Sequence, residues 1–318
     1  MCQAVPVTQP LLSDDVLAAE LEGVVEQELA RHLSTARDWY PHEYVPWGEG
    51  RDFEGPLGGE AWTPEEKRFS DAARTSLIIN LLTEDNLPSY HTEIALNVGT
   101  EGAWAAWLGR WTAEEARHGA AIRDYLLTTR SVDPRALEDA RMLHMQEGFT
   151  ALNPGLLAGV TYVSFQELAT RVSHRRTGEA TGDPIAEQLL ARIALDENLH
   201  MLFYRNVIEA AFEIAPDQTM QAVLGSVRDF AMPGHGIEGF GRMAVQIAVE
   251  GIYDLRLHRD DVLMPVLRKW RVFERDDFGP AGEEARAELE AFLTGLDDQA
   301  RRFEEKRDAL KARMAARD

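Results

Sequence analysis

Four glutamates and two histidines recur in this chain at nearly constant spacing. They form a lone glutamate followed by a Glu-x-x-His pair, and this arrangement occurs twice: Glu84, Glu115, His118, Glu167, Glu197 and His200. The second pair follows the first by 82 residues, and the second lone glutamate follows the first by 83. Residues three positions apart on a helix share one face, so each pair can direct a carboxylate and an imidazole at one point.

This pattern is typical of a di-metal carboxylate site inside a four-helix bundle. Carboxylate oxygens with a few imidazoles suit iron or manganese better than metals that prefer thiolates. Each pair alone could be an exposed helix face, but apolar residues stand one turn before every glutamate, namely Leu81, Trp111, Val163 and Ile193. Ionised carboxylates on apolar faces are costly unless they are paired or bound to metal. A buried metal site is therefore the better explanation.

The elements that must position these residues are predicted to be helices, because apolar residues recur with helical spacing and no useful alternating pattern occurs. Four helices should carry the site, over about 63–98 with a break near Pro88, about 102–129, from Asn153-Pro154 onward, and about 183–214. Thr63 followed by Pro64 is a typical helix start. Other helices are predicted at about 13–32, 133–147, 216–230, 236–251, 258–272 and 281–315.

We expect an all-α fold in a single domain, a four-helix bundle with additional packed helices. Residues 1–60 should supply an N-terminal helix and an irregular crossing segment at 35–60. Residues 61–215 should form the bundle core, and residues 216–318 should pack around it.

Composition excludes several classes of protein. The net charge of −21 argues against nucleic-acid binding, which needs a basic surface. The single cysteine, Cys2, excludes a disulfide framework or a cysteine-ligated cluster within one chain. No apolar run approaches the roughly 18 residues of a membrane span, and the N-terminus lacks the features of a signal peptide. A cytoplasmic location is predicted, without membrane insertion.

Longer segments resemble a known family. They are TEDNLPSYH (83–91), RWTAEEARHG (110–119), YVSFQELATRVSHR (162–175), DENLHMLFYR (196–205) and MPVLRKWRVFER (264–275). The chain resembles the soluble acyl-acyl carrier protein (acyl-ACP) desaturases, typified by plant stearoyl-ACP desaturase, and is most similar to the actinobacterial and mycobacterial members. The resemblance covers most of the chain and implies a ferritin-like di-iron bundle.

The resemblance also implies how the six residues are divided between two iron ions. Glu84 and His118 would serve one iron and Glu167 and His200 the other. Glu115 and Glu197 would bridge the two ions.

Three further residues gain roles from the resemblance. Thr170 matches a threonine beside the oxygen-binding face, although it could instead bond only to a helix carbonyl. Trp39 and Asp196 match a path through His118 that carries electrons to iron. Alternatively, Asp196 orients His118 as a hydrogen-bond acceptor, and Trp39 is a packing residue.

Some positions depart from the plant pattern. Ala116 replaces an asparagine in the first pair, and Asn198, Leu199 and Met201 replace a basic pair and a glutamate in the second. Glu93 and Asn97 differ from the residues of the acyl channel. The acyl length and the double-bond position therefore cannot be carried over.

The implied function is oxygen-dependent desaturation of an acyl chain carried on ACP. Electrons would come from ferredoxin and its reductase, and the enzyme would be a homodimer. His174-Arg175-Arg176 and Arg268-Lys269-Trp270-Arg271 are candidate basic clusters for the acidic carrier. The alternatives are a di-iron acyl hydroxylase of a specialised pathway, a non-catalytic ferritin-like iron-binding protein and an inactive scaffold. The choice between ACP and coenzyme A, and between iron and manganese, stays open.

Overall fold

A computed structural model describes residues 11–99, 101–232 and 237–316. Cys2, and the first position of the helix predicted at 236–251, lie outside these ranges. The long helices are α1 (Asp14–Thr35), α2 (Asp71–Asp85), α3 (Leu87–Val98), α4 (Gly102–Thr128), α5 (Pro134–Glu147), α6 (Leu156–Thr181), α7 (Pro184–Ile214), α8 (Pro216–Arg228), α9 (Phe240–Glu250) and α12 (Pro280–Ala315). The short helices α10 (Leu255–Leu257) and α11 (Met264–Lys269) flank a π-helical turn at His258–Leu263. The described residues hold no strand, only an isolated bridge between Phe53 and Glu60.

Local sequence fixes the ends of the bundle helices. Asp183 accepts hydrogen bonds from the backbone N–H groups of Ile185 and Ala186 and so caps α7, with Pro184 in its first turn. Gly182 ends α6 in the left-handed conformation, with φ of 63°, which a residue without Cβ adopts at little cost. The chain can therefore reverse direction within a few residues, and α6 and α7 pack extensively against each other.

The start of α2 differs from the prediction at Thr63. Pro64–Glu66 forms only one 3₁₀ turn, and α2 begins at Asp71, where the Ser70 hydroxyl accepts from the Ala73 N–H at 3.2 Å. Glu66 still accepts from the Thr63 backbone N–H at 3.1 Å, but it also binds Arg130, whose Nε lies 2.6 Å from Glu66 Oε1. This hydrogen bond is the main cause that lowers the pKa of Glu66 to about 2. A strong capping sequence here stabilises a loop instead of a long helix.

The break predicted near Pro88 falls two residues earlier, at Asn86. Proline lacks the N–H that would continue the helix, so α2 ends at Asp85 and α3 restarts at Leu87. Glu84 thus lies in the last turn of α2, where side chains of α6 can reach it.

The outer helices share one core with the bundle. A continuous hydrophobic cluster extends from Leu17 in α1 to Leu296 in α12, and α12 packs on α8. Trp270 is buried and donates from Nε1 to the Arg205 carbonyl at 2.8 Å. The helix predicted at 258–272 is instead interrupted by the π-helical turn. Among the described helices, none combines the length and apolar character needed to cross a membrane.

Candidate metal centre

Four helices bring the six predicted residues to one place in the interior. Helix α2 supplies Glu84 and α6 supplies Glu167, while α4 and α7 each supply a Glu-x-x-His pair. All six side chains are buried, the most exposed at 7%. The sequence spacing thus becomes a compact cluster.

The six residues form two overlapping groups. One contains Glu84, Glu115, His118 and Glu197, and the other contains Glu115, Glu167, Glu197 and His200. Within each group, one candidate ligand atom from every residue lies within 4.8 Å of all the others. Glu115 and Glu197 belong to both groups, which is the placement that bridging carboxylates require.

Both imidazoles direct Nδ1 at the shared glutamates. His118 Nδ1 lies 3.1 Å from Glu197 Oε1 and 3.6 Å from Glu115 Oε2. His200 Nδ1 lies 2.7 Å from Glu115 Oε1 and 3.4 Å from Glu167 Oε2. Each group therefore contains one imidazole nitrogen that faces carboxylate oxygens.

These inward-facing atoms lack hydrogen bonds despite their proximity. Five buried atoms of the cluster have no hydrogen-bond partner: Glu115 Oε1, His118 Nδ1, Glu167 Oε2, Glu197 Oε1 and His200 Nδ1. Leaving buried polar atoms unsatisfied is costly and calls for an explanation. Cations held between these nitrogen and oxygen atoms would satisfy all five, and the donor set suits iron or manganese. The residues therefore fit a di-metal centre.

The opposite nitrogen of His118 faces Asp196. Asp196 Oδ2 lies 3.4 Å from His118 Nε2 and accepts from Trp39 Nε1 at 2.7 Å. Arg117 and Arg192 also contact this carboxylate, and both guanidinium groups lie over the Trp39 ring, at 5.1 and 5.5 Å from its centroid. We call His118, Asp196 and Trp39 the Asp196 half.

A matching arrangement surrounds His200, and sequence reasoning missed it. Glu114 Oε2 lies 3.0 Å from His200 Nε2 and 2.9 Å from His32 Nε2, and Arg110 contacts Oε1 at 2.5 Å. We call His200, Glu114 and His32 the Glu114 half. A signal for His32 existed, because it continues the buried stripe of Leu17, Leu21 and Val25 along α1.

The two unshared glutamates also have different neighbours. Glu84 Oε1 lies 2.9 Å from His174 Nε2, whereas Glu167 Oε1 accepts from Trp111 Nε1 at 2.9 Å.

The prediction that His174 belongs to a basic cluster on the surface is wrong, since its side chain is buried. His174 follows Glu167 by seven residues, which is two helical turns, and this spacing could have placed it on the inner face of α6.

Thr170 makes the helix-carbonyl bond that the sequence allowed and also contacts a candidate metal ligand. Its hydroxyl lies 2.5 Å from Glu197 Oε2 and 3.0 Å from the Glu167 backbone carbonyl. The side chain is thus beside a shared glutamate as well as bonded to its own helix.

Electrostatics show which groups hold protons when no cation is bound. Burial raises the pKa of Glu167 well above its usual range, and the charges of Glu115 and Glu197 add to the effect. Burial opposes charge at His118 and His200 too, but the surrounding carboxylates outweigh it and raise the pKa of both. Metal cations would displace these protons.

Two cavities flank the cluster, and both contact Thr83 and Glu84. The larger, of about 510 Å³, opens between the bundle and helices α9 and α12. We call it the wide cleft. The smaller, of about 60 Å³, lies between α3, α4 and α6, and Glu93 and Asn97 line it. We call it the narrow pocket.

Comparison with known proteins now identifies the family. A sequence model of the fatty acid desaturase family matches residues 13–317. The chain belongs to this family. It is 51% identical over 304 residues to a Mycobacterium tuberculosis protein named acyl-[acyl-carrier-protein] desaturase DesA1, covering 92% of this chain and 89% of the relative. It is 30% identical over 310 residues to the chloroplastic stearoyl-[acyl-carrier-protein] 9-desaturase of Spinacia oleracea, covering 90% and 75%.

A solved structure supports the fold. The X-ray structure of the acyl-ACP desaturase DesA2 from Mycobacterium tuberculosis matches with a TM-score of 0.71 and 30% identity, covering 85% of this chain and 99% of that one. The predicted all-α, ferritin-like fold is confirmed, as is the resemblance to acyl-ACP desaturases. The relatives are named as desaturases, which are oxidoreductases, so the prediction of an enzyme is also confirmed.

Proposed function

We propose that this protein desaturates an acyl chain carried on acyl carrier protein, using two iron ions, O₂ and electrons from ferredoxin. The observation that carries the proposal is a cluster of candidate ligand atoms that lack hydrogen bonds. They belong to two groups that share Glu115 and Glu197, and two cavities flank them. The names of the relatives supply the substrate class. Glu84 and His118 would hold one iron, Glu167 and His200 the other, and Glu115 and Glu197 both.

The reaction removes one hydrogen from each of two adjacent methylenes. O₂, two electrons and two protons are consumed, and an alkene and two waters form. Iron, when bound, supplies the activation of O₂ that this oxidation needs.

The protein's own residues position the chain and keep water out. An acyl chain that passes from the wide cleft to the narrow pocket would cross the face of the cluster at Thr83 and Glu84. Burial of the six candidate ligands keeps bulk water from the reacting carbons. Thr170 would hold Glu197 through its hydroxyl and offer a polar contact beside the reacting region.

The Asp196 half is the proposed route for electrons. Trp39 stacks near His118, with ring centroids 6.4 Å apart, and both bond to Asp196. Asp196 would hold His118 with Nδ1 directed at the shared glutamates, where iron would bind, and Trp39 would connect this pair toward Arg117 and Arg192. Reduced ferredoxin would dock on this side.

The basic clusters predicted for ACP need revision. His174 and Trp270 are buried, whereas Arg175, Arg176, Arg268 and Arg271 are exposed. Lys269 is already paired with Glu209 at 2.8 Å. We propose that the exposed arginines receive the acidic carrier. The homodimer and the cytoplasmic location stay predictions from the sequence.

Single-turnover chemistry tests the proposal. Iron-loaded protein is reduced without O₂, mixed with saturated acyl-ACPs of several lengths and exposed to O₂, and the acyl products are weighed. We expect a product lighter by two hydrogens. A product heavier by one oxygen would instead indicate a hydroxylase, and full iron binding without any acyl product would favour an iron-binding protein.

A further inference from the structure

The wide cleft is lined mainly by apolar side chains, and several of its polar groups near the cluster already have partners. Ser76 bonds to Thr177 at 2.7 Å, and Ser173 donates to Asn80 at 2.9 Å. At the outer end, Asp254 caps the Leu257 N–H at 2.9 Å and pairs with Arg307 at 3.1 Å. These groups have little capacity left to recognise a ligand.

His258 differs from these groups. It lies at the start of the π-helical turn, is 9% exposed and lines the wide cleft. Its Nδ1 lies 2.9 Å from the Tyr253 hydroxyl, and its ring packs on Phe230 with centroids 4.5 Å apart. No described protein group forms a hydrogen bond with its Nε2.

The protonation of the ring follows from its surroundings. Burial lowers the pKa of His258 to about 4, so the imidazole is neutral at physiological pH and has one donor and one acceptor nitrogen. The Tyr253 hydroxyl has no other hydrogen-bond partner among the described residues, so its proton is used only when it donates to Nδ1. Nε2 then carries the ring proton, and a single N–H donor faces the cleft.

We infer that His258 Nε2–H binds a carbonyl oxygen of the link between the acyl chain and its carrier. This assignment rests on the proposed function. The hydrocarbon part of such a ligand accepts no hydrogen bond, whereas the thioester and the amides of the carrier arm do. A buried N–H donor without a partner among the described protein groups, in a mainly apolar cleft, matches a ligand with an acceptor at one end.

The assignment also orients the ligand. The carrier end lies in the wide cleft near His258, and the methyl end lies in the narrow pocket beyond Glu84. The reacting carbons then lie between them, beside the six candidate ligands.

Equilibrium binding to iron-loaded protein without reductant tests the subsite, because no turnover occurs. The probes are a saturated acyl-ACP and its thioether analogue, which lacks the thioester carbonyl. His258→Phe keeps the ring and removes the donor, His258→Gln keeps an N–H donor, and Leu296→Met is the control in the same cleft. Thermal unfolding and iron content confirm that each variant is folded.

We expect His258→Phe to weaken acyl-ACP binding about fivefold, as for loss of one neutral hydrogen bond. His258→Gln and Leu296→Met should stay within about twofold of wild type on the same basis. If the fivefold difference vanishes with the thioether, the partner is the thioester carbonyl, and if it persists, the partner is an amide of the carrier arm.

Equal binding by wild type and His258→Phe would overturn the subsite and leave the proposed function standing. Equal losses in the Phe and Gln variants would also overturn it, since the donor would not matter. Wild-type protein that binds no acyl-ACP would overturn the proposed function and the subsite with it.

Discussion

The Asp196 half and the Glu114 half of the centre share a plan and differ in their outer partner. In each, a carboxylate lies near Nε2 of one histidine, so that Nδ1 faces the shared glutamates. The outer partner is the Trp39 indole in one half and the His32 imidazole in the other. Two candidate metal positions thus have matching inner ligands and different connections to the rest of the protein.

Under the proposed function, this difference separates two tasks. Both outer partners are buried, and Glu114, like Asp196, also contacts partly exposed arginines, here Arg110 and Arg117. Around Asp196, Arg117 and Arg192 are only partly buried and extend the contacts outward. What distinguishes the Asp196 half is its outer partner, an indole that lies beneath two guanidinium groups, and under the proposed function this half carries electrons to the centre.

We expect the largest effect from removing a glutamate that both metal positions share. Glu197→Ala deletes an oxygen donor from both groups, so we expect most iron to be lost from both positions and desaturation to become undetectable. Iron per chain, measured by elemental analysis, checks this. Glu147→Ala, on the neighbouring α5 and outside the cluster, is the control. Retention of one full iron in Glu197→Ala would contradict the bridging role.

A direct comparison of the halves comes next. Asp196→Asn and Glu114→Gln each remove a carboxylate that orients a histidine, and such changes typically cost about 10- to 100-fold in metal affinity or activity. We expect both variants to lose iron affinity, but only Asp196→Asn to slow reduction by ferredoxin once iron is saturating. Stopped-flow reduction measures this difference, and equal slowing in both variants would contradict the division of tasks.

A smaller effect should follow from the outer partners. Trp39→Phe keeps an aromatic ring and loses the bond to Asp196, and we expect reduction to slow by about tenfold. His32→Phe should leave the reduction rate unchanged and lower the free energy of unfolding by about 1–3 kcal/mol, because Glu114 loses a buried partner. Chemical denaturation and stopped-flow reduction are measured on both proteins. Slow reduction in His32→Phe with normal kinetics in Trp39→Phe would reverse the assignment.

The smallest expected effect is a pH dependence common to both halves. In metal-free protein the pKa values of His118 and His200 are raised above 6.5, so their stabilising contribution is present below that pH. It is lost as the pH rises through the folded-state values. Glu167, with its pKa raised above 4.5, acts in the same direction.

We therefore expect the melting temperature of metal-free protein to fall as the pH rises above about 6.5. Iron-loaded protein should change less over the same range, because the metal replaces the protons. A metal-free protein that becomes more stable over this range would show that these groups do not hold protons in the folded state. The pKa of Glu84 is lowered below 4.5, so its contribution to stability changes only at acid pH, below this range.

Sequence predicted the parts of the centre that repeat. The Glu-x-x-His pairs, the lone glutamates and the apolar residues before them each follow helical spacing, so their cluster and the all-α fold could be anticipated. Trp39 could be placed near Asp196 only through the family resemblance, because nothing local in an irregular segment encodes a contact 157 residues away.

The rest depended on tertiary contacts. His174 stands beside two arginines in sequence, and only the packing of α6 shows that one side of this run is buried and the other exposed. Thr63 has a good capping sequence, yet Arg130 holds Glu66 in a loop and α2 begins later. His258 lies at the start of a π-helical turn and lines the wide cleft, and helical periodicity alone does not predict such a turn.

The most direct test of the central claim is an iron anomalous-scattering map of crystals of the iron-loaded protein. The account predicts two adjacent iron peaks, one in contact with Glu84 and His118 and the other with Glu167 and His200, with Glu115 and Glu197 touching both. A single peak, or iron bound instead between His32, Glu114 and His200, would contradict the account.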